Sequence, residues 1–107
     1  MKNNIRPYLS HTPKIDSSCY IDESAVLIGE VCLAENVSVW PFAVIRGDVN
    51  FIQIGKNSNV QDHVMLHVSH KNAAKPQGSP LVIGEDVTIA HHVTLHGCTI
   101  GNRVLIG

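Results

Sequence analysis

The chain has 107 residues, a net charge of −1 and only 16% charged residues, so it offers neither a basic surface for nucleic acid nor an acidic tail. No apolar run approaches the ~20 residues that a membrane helix needs. The N-terminus lacks the apolar core of a signal peptide, and we therefore expect a single cytoplasmic domain. Cys19, Cys32 and Cys98 show no CxxC spacing, which predicts free thiols.

Residues 1–14 have no periodicity and are interpreted as an irregular lead-in. From residue 15 to the end, an aliphatic residue opens each six-residue unit, or hexad. These first positions are Ile15, Ile21, Leu27, Leu33, Val39, Ile45, Ile54, Val60, Leu66, Ile83, Ile89, Leu95, Ile100 and Ile106. The residue at the fifth position of a hexad is nearly always small or valine. In the hexad that begins at Ile45, this position is assigned to Val49. Two interruptions are expected, a three-residue insertion at 51–53 and a loop at about 72–82.

This pattern fits neither a helix, which spaces apolar residues by three and four, nor a simple alternating strand. Hexads with turn residues between them are typical of a parallel β-helix, in which three hexads form one triangular coil and coils stack about 4.8 Å apart. Residues 15–107 are therefore predicted to form one all-β solenoid domain. An ordinary β-sandwich with accidental regularity is the alternative. The loop at 72–82 either covers a functional face or is a simple surface excursion.

The hexads occupy three faces in turn, which we call a, b and c, beginning with face a at Ile15. Residues at one hexad position on one face then form a column along the solenoid. The second position of face c brings together Arg46, His67 and His96. His67 and His96 are thus predicted to be neighbours in adjacent coils, although they are far apart in sequence.

His91 falls in a different column, at the third position of face b with Pro41 and Asp62. Gln61 lies beside Asp62. Zinc–nitrogen bonds are only about 2.0–2.1 Å long, so the ligands of one ion must converge. A histidine around the corner of the same rigid prism cannot reach the pair on face c. If three histidines share a metal, His91 must come from another copy, and a cyclic trimer closes such a head-to-tail contact.

The same columns place Arg46 opposite Asp62 of a neighbouring copy, where Asp48 could take part in an ion pair. An ordinary surface ion pair is the alternative reading of these charges. Trp40 and Phe42 are interpreted as covering an interface. The histidines that fit no column with the trio are His11, His63, His70 and His92.

Three segments together resemble the γ-class carbonic anhydrases and their bacterial relatives: Val39–Gly55, Asn59–His70 and Ile83–Gly97. They carry the motifs RGD, NVQD, LH and AHxxxxHG, and this combination is far more specific than a hexad repeat alone. The resemblance extends from residue 15 to the end of the chain.

The resemblance implies a left-handed β-helix and a homotrimer that holds Zn²⁺, or Fe²⁺ or Co²⁺ in some members, at each subunit interface. It implies reversible hydration of carbon dioxide to bicarbonate by a metal-bound hydroxide. By motif, the metal ligands are His67, His91 and His96. The residues that it assigns to the interface and to the bound water or bicarbonate are Arg46, Asp48, Asp62 and Gln61.

Two departures from the family pattern leave other functions open. The best-studied branch has proton-moving glutamates where this chain has Val49 and His70. The hexads also run to Gly107 without a cap, whereas relatives continue into a C-terminal helix, so we expect a C-terminally truncated chain.

One alternative is a metal-binding trimer that is catalytically silent or acts on another substrate. Another is a hexapeptide acyltransferase, which the convergence of three histidines disfavours because it needs one base and no metal.

Overall fold

A computed structural model of the protein describes residues 4–107. This part of the chain forms thirteen strands of 2 to 11 residues and no helix, and so contains no helix long and apolar enough to cross a membrane. The strands are β1 (Ile5–Arg6), β2 (Lys14–Ile15), β3 (Tyr20–Ile21), β4 (Val26–Leu33), β5 (Ser38–Val39), β6 (Val44–Ile54), β7 (Asn59–Val60), β8 (Met65–His67), β9 (Leu81–Ile83), β10 (Thr88–Ile89), β11 (Thr94–His96), β12 (Thr99–Ile100) and β13 (Leu105–Ile106).

All pairs between these strands are parallel, and their registers match the predicted columns. On face a, for example, Ile15 pairs with Leu33, and Ile54 pairs with Ile83. Face b is a separate sheet in the order β13-β10-β7-β5-β3, whereas β4 and β6 continue around the corner and join faces c and a into one sheet. The predicted all-β parallel solenoid with three hexads per coil is confirmed, and the structure shows that it has about five turns.

The core is a single stack of aliphatic side chains along the solenoid axis. The first hexad positions supply large members such as Leu27, Ile45 and Leu66, and the fifth positions supply small ones such as Ala25 and Ala43, all 0% exposed. Burying one such large side chain contributes about 1.5–3 kcal/mol. A narrow triangular interior has room for this alternation but not for rings, which explains the low aromatic content.

The corners that follow faces a and b explain the choice of residue at the fourth hexad position. From the second coil onwards, each of these corner residues has a φ between 56° and 64°, in the left-handed region that asparagine, aspartate and histidine tolerate better than most residues. They are Asn36, Phe42, Asn57, His63, Asp86, His92 and Arg103. The corner after face b thereby aligns the rings of Phe42, His63 and His92 in one stack, with centroid separations of 5.2 and 4.8 Å.

The three-residue insertion lies earlier than predicted. Gly29 pairs with Gly47 and Val31 pairs with Ile52, so residues 48–51 bulge outwards opposite a single residue of β4. A Cβ atom on Gly47 would lie 2.5 Å from the carbonyl oxygen of Glu30, so the bulge starts where only glycine fits.

The prediction of an insertion at residues 51–53 is therefore wrong, and so is the core position given to Val49. Val49 is 42% exposed on the bulge, whereas Ile52 is fully buried and fills the fifth hexad position. Both residues are aliphatic, so the repeat pattern alone could not tell which of them faces the core.

The lead-in contains a strand of its own. Ile5 and Arg6 of β1 pair in parallel with Leu27 and Ile28 of β4, which extends face c by one strand. Residues 1–3 lie outside the described part of the chain. The division of the chain at residue 15 remains a prediction. The long loop lies between β8 and β9 and is closed at its base by a bridge between Ser69 and Ser79.

The cysteines differ enough in environment for a test of the fold. Burial raises the pKa of the Cys19 thiol, which also lies 3.0 Å from the carbonyl oxygen of Ala34, whereas Cys32 is exposed. Because the thiolate is the reactive form, iodoacetamide at pH 8 is expected to label Cys32 at least about tenfold faster than Cys19. Mass spectrometry of the labelled peptides measures both rates, and equal rates in native buffer would contradict the placement of Cys19 against the core.

Candidate metal centre

His67 and His96 lie side by side on face c, as the column argument predicted. They are Cα partners in the parallel pair of β8 and β11, because Leu66 and Leu95 fix the register from inside the prism. The two imidazole rings are 5.1 Å apart between centroids and meet edge to face at 71°. Two nitrogen donors thus project from adjacent strands of a rigid sheet.

Asp48, on the bulge of β6, supports the first of these rings. Its Oδ1 lies 2.8 Å from Nε2 of His67 and accepts a hydrogen bond of 2.8 Å from the Val49 amide, while Oδ2 pairs with the Arg46 guanidinium. Burial by itself would raise the pKa of Asp48, but these hydrogen bonds and the nearby positive charge outweigh it and lower the pKa. Asp48 is therefore an ionised partner for His67.

Ser69 supports the second ring. Its Oγ lies 2.9 Å from Nε2 of His96. The backbone of Ser69 exchanges two hydrogen bonds with Ser79, at 3.0 and 3.1 Å, so this serine belongs to the base of the long loop. The loop is thus tied directly to the candidate site, which favours the reading that it covers a functional face.

His91 lies apart from this pair, at the corner after face b. Its Nδ1 is 3.2 Å from Oδ1 of Asp62, and its side chain is 64% exposed. The backbone hydrogen bonds follow the same register from coil to coil. The amide of His92 donates to the carbonyl oxygen of Asp62, and one coil earlier the amide of His63 donates to the carbonyl oxygen of Pro41. His91, Asp62 and Pro41 therefore lie in one column, as predicted. Throughout residues 4–107, no three histidine, cysteine or acidic side chains of one chain cluster closely enough to hold a metal ion.

Gln61 is held in a short ladder of polar side chains on face b. Its Nε2 donates to Oδ1 of Asn59 at 2.6 Å, and Nδ2 of Asn59 donates to Oγ1 of Thr88 at 3.1 Å. This ladder fixes the orientation of the Gln61 amide beside the column that contains His91.

The donor set fits a divalent transition metal. Imidazole nitrogen is a preferred ligand of zinc, and a ligating histidine normally has its second nitrogen held by a hydrogen-bond partner, most often a carboxylate, a backbone carbonyl or water. His67 has such a partner in Asp48 and His96 has one in Ser69. Two such ligands leave room for a third protein ligand and for substrate.

Neither of two well-formed clefts within residues 4–107 is lined by His67 or His96. A cleft of about 530 Å³ lies between the lead-in and β6, around His11, Cys32 and Gln53. A second cleft of about 460 Å³ reaches Asp48 and Asn50 under the loop. An ion held between subunits would have its enclosing wall supplied by the second copy, so an open face is the arrangement expected in one chain.

The structure thus brings together four of the residues selected from the sequence, which are Arg46, Asp48, His67 and His96. Gln61, Asp62 and His91 form a second group on face b. Sequence reasoning missed Ser69 and Asn50. Both lie outside the hexad pattern, in the loop and on the bulge, and the only sequence signal is their position next to the motif residues.

Comparison with known proteins places the chain among the hexapeptide-repeat proteins. The chain is 56% identical to Escherichia coli protein YrdA over 107 residues. This alignment covers the whole of the chain but only 58% of YrdA. It is 38% identical to mitochondrial gamma carbonic anhydrase 1 of Arabidopsis thaliana over 95 residues, which are 89% of this chain and 34% of the plant protein. No family profile matches the sequence.

Two solved structures share the fold. A hexapeptide transferase family protein from Anaplasma phagocytophilum superposes with a TM-score of 0.86 at 37% identity, covering all of this chain and 58% of that protein. A Bacillus cereus protein named as a candidate acetyltransferase superposes with a TM-score of 0.78 at 34% identity, covering 96% and 70%. The chain belongs to the γ-class carbonic anhydrase-like family of hexapeptide-repeat proteins.

Proposed function

We propose that the chain forms a homotrimer that binds one divalent ion, Zn²⁺ in the first instance, at each subunit interface and hydrates carbon dioxide. His67 and His96 of one copy and His91 of the next would hold the ion. Fe²⁺ or Co²⁺ would suit the same donors. The family includes proteins named as carbonic anhydrases, which supports a metal-dependent hydration.

One observation carries the proposal: the histidines are divided between two faces of a rigid prism. His67 and His96 point from paired strands of face c, whereas His91 sits at the corner of face b against Asp62. A single chain offers two adjacent imidazoles and a separate third one. Closing face b of one copy on face c of the next brings the missing ligand to the pair, and three-fold symmetry repeats the contact without leaving an open end.

When bound, such an ion supplies a Lewis acid that lowers the pKa of water to about 7. The net reaction converts carbon dioxide and water to bicarbonate and a proton. The residues of this chain orient the components. Asp48 holds His67, the Asn59 contact fixes the amide of Gln61 for a hydrogen bond to water or bicarbonate, and Arg46 carries the positive charge that favours an anionic product.

The proposal is tested by metal analysis, mass measurement in solution and stopped-flow hydration of carbon dioxide. We expect a trimer with about one zinc per chain. His67→Ala and His96→Ala are expected to lose that zinc, whereas His11→Ala, which alters a histidine outside both columns, is expected to keep it. Retention of stoichiometric zinc by His67→Ala, or a monomer that hydrates carbon dioxide, would refute the site.

A second candidate is a metal-binding trimer that does not hydrate carbon dioxide. Val49 favours it, because this exposed residue next to Asp48 can neither accept nor donate a proton. Zinc in the trimer without turnover of carbon dioxide would support this candidate.

A hexapeptide acyltransferase is a third candidate, supported by the names of the two similar structures. Turnover of an acyl thioester by the metal-free protein would support it.

A further inference from the structure

Asn50 is one of only two buried polar residues within the described part of the chain, and it lies on the bulge that also carries Asp48. It is 7% exposed; the other such residue is Ser58. The Asn50 side chain donates from Nδ2 to the carbonyl oxygens of Gln77 at 2.8 Å and Ser69 at 3.3 Å. Its Oδ1 accepts a hydrogen bond from the Phe51 amide. A buried amide with all these partners is a fixed element of structure.

These two acceptors lie on opposite limbs of the long loop. Ser69 belongs to the limb that leaves β8, and Gln77 belongs to the limb that returns to β9. Gly78, which follows Gln77, has a φ of +63°, and a Cβ atom there would lie 2.7 Å from Nδ2 of Asn50 and 2.6 Å from the Ser69 carbonyl oxygen. The amide of Asn50 is thus closely packed at the point where the loop closes.

Ser69 connects this closure to the candidate metal centre, because its hydroxyl lies 2.9 Å from Nε2 of His96. A serine at the base of a loop can orient a histidine only if the loop base is itself fixed. Two contacts fix Ser69: its backbone exchanges hydrogen bonds with Ser79, and its carbonyl oxygen also accepts a hydrogen bond from Asn50, which joins Ser69 to the bulge.

We infer that Asn50 is a positioning residue for the metal centre, acting on His96 through Ser69. This inference rests on the proposed function. The three-residue insertion then supports both ligands of face c: Asp48 holds His67 directly, and Asn50 holds His96 through the loop. This gives the insertion a role that the hexad repeat, which it interrupts, does not explain.

The test is zinc affinity, measured by competition with a chelator on the full chain, together with the visible absorption spectrum of the Co²⁺-loaded protein. Loss of a group that supports a metal ligand typically costs 10- to 100-fold in affinity. Asn50→Ala and Ser69→Ala are each expected to weaken zinc binding by about that factor and to shift the cobalt spectrum in the same way. Ser69→Thr keeps a hydroxyl and is expected to restore both readouts.

The double variant shows whether the two residues act in series. If Asn50 acts through Ser69, then Asn50→Ala combined with Ser69→Ala costs no more than the larger single effect. Additive losses would overturn the inference. Because Ser69 is only half-buried, its variants are expected to remain folded and to report on the contact with His96 even if Asn50→Ala does not fold.

Ser58→Ala is the matched control. Ser58 is also a buried polar residue, with its hydroxyl donating to the Gly84 carbonyl oxygen at 2.8 Å and accepting from the Val87 amide at 3.0 Å, but it contacts neither loop nor ligand. Its loss is expected to lower thermal stability and leave zinc affinity unchanged. Equal losses of affinity in Ser58→Ala and Asn50→Ala would show a merely structural effect and overturn the inference. If the wild-type chain binds no zinc, both the proposed function and this inference are refuted. If Asn50→Ala binds zinc as tightly as the wild type or more tightly, only this inference is overturned.

Discussion

Mixing the His91→Ala protein with the His67→Ala protein is expected to restore zinc binding that neither variant shows alone. In a cyclic trimer, each site takes its face c ligands from one copy and His91 from the next. A mixed trimer therefore contains one site where an intact face c meets an intact His91. Random mixing at equal amounts makes about three quarters of the trimers mixed, each with one intact site of three, so zinc should return to about a quarter of the wild-type content per chain.

The matched control mixes His67→Ala with His96→Ala. Both substitutions lie in the same column of face c, on strands β8 and β11, so every site in every mixed trimer has lost one ligand. No zinc should return. The two mixtures use the same unfolding and reassembly and differ only in which faces carry the defects. They are measured by metal analysis after size-exclusion chromatography, and return of zinc in both, or in neither, would contradict a site shared between faces b and c.

The repeat was enough to predict the parallel solenoid, although not its hand, because the hexad determines the register. Each first position must be aliphatic and point inwards, and a shift of one residue would expose that side chain. His96 therefore had to pair with His67 once the loop between them was treated as an excursion. Arg46 does pair with Asp48 in the same chain, which was the alternative interpretation of these charges. The columns show which residues are neighbours, but they do not show which of several nearby charges form a pair.

The details that the repeat could not supply all lie where it is interrupted. The insertion was misplaced because Val49 and Ile52 are both acceptable core residues, and only the close approach of Gly47 to Glu30 determines where the bulge begins. Ser69 was missed because its contact with His96 depends on the path of the loop. Irregular backbone is determined by buried hydrogen bonds such as those of Asn50, and these leave no periodic signal in the sequence.

Ile54→Ala is expected to destabilise the chain by about 2–5 kcal/mol, because it removes a fully enclosed side chain and leaves a cavity in a stack that cannot collapse. Ile54 is 2% exposed and pairs with Leu33 on one side and Ile83 on the other. In a solenoid each coil is stabilised mainly by its two neighbours, so the loss of a central contact weakens two interfaces at once.

Ile100→Ala is the control at the same hexad position of the same face. Ile100 pairs with Ile83 and is only half-buried in this chain, so the same substitution should cost roughly 1 kcal/mol. Both variants and the wild type are compared by urea unfolding at one protein concentration, because assembly makes the apparent stability depend on concentration. If the two substitutions had equal costs, the stacked column would not be the source of stability; a much larger cost for Ile54→Ala is the result that coil-by-coil packing requires.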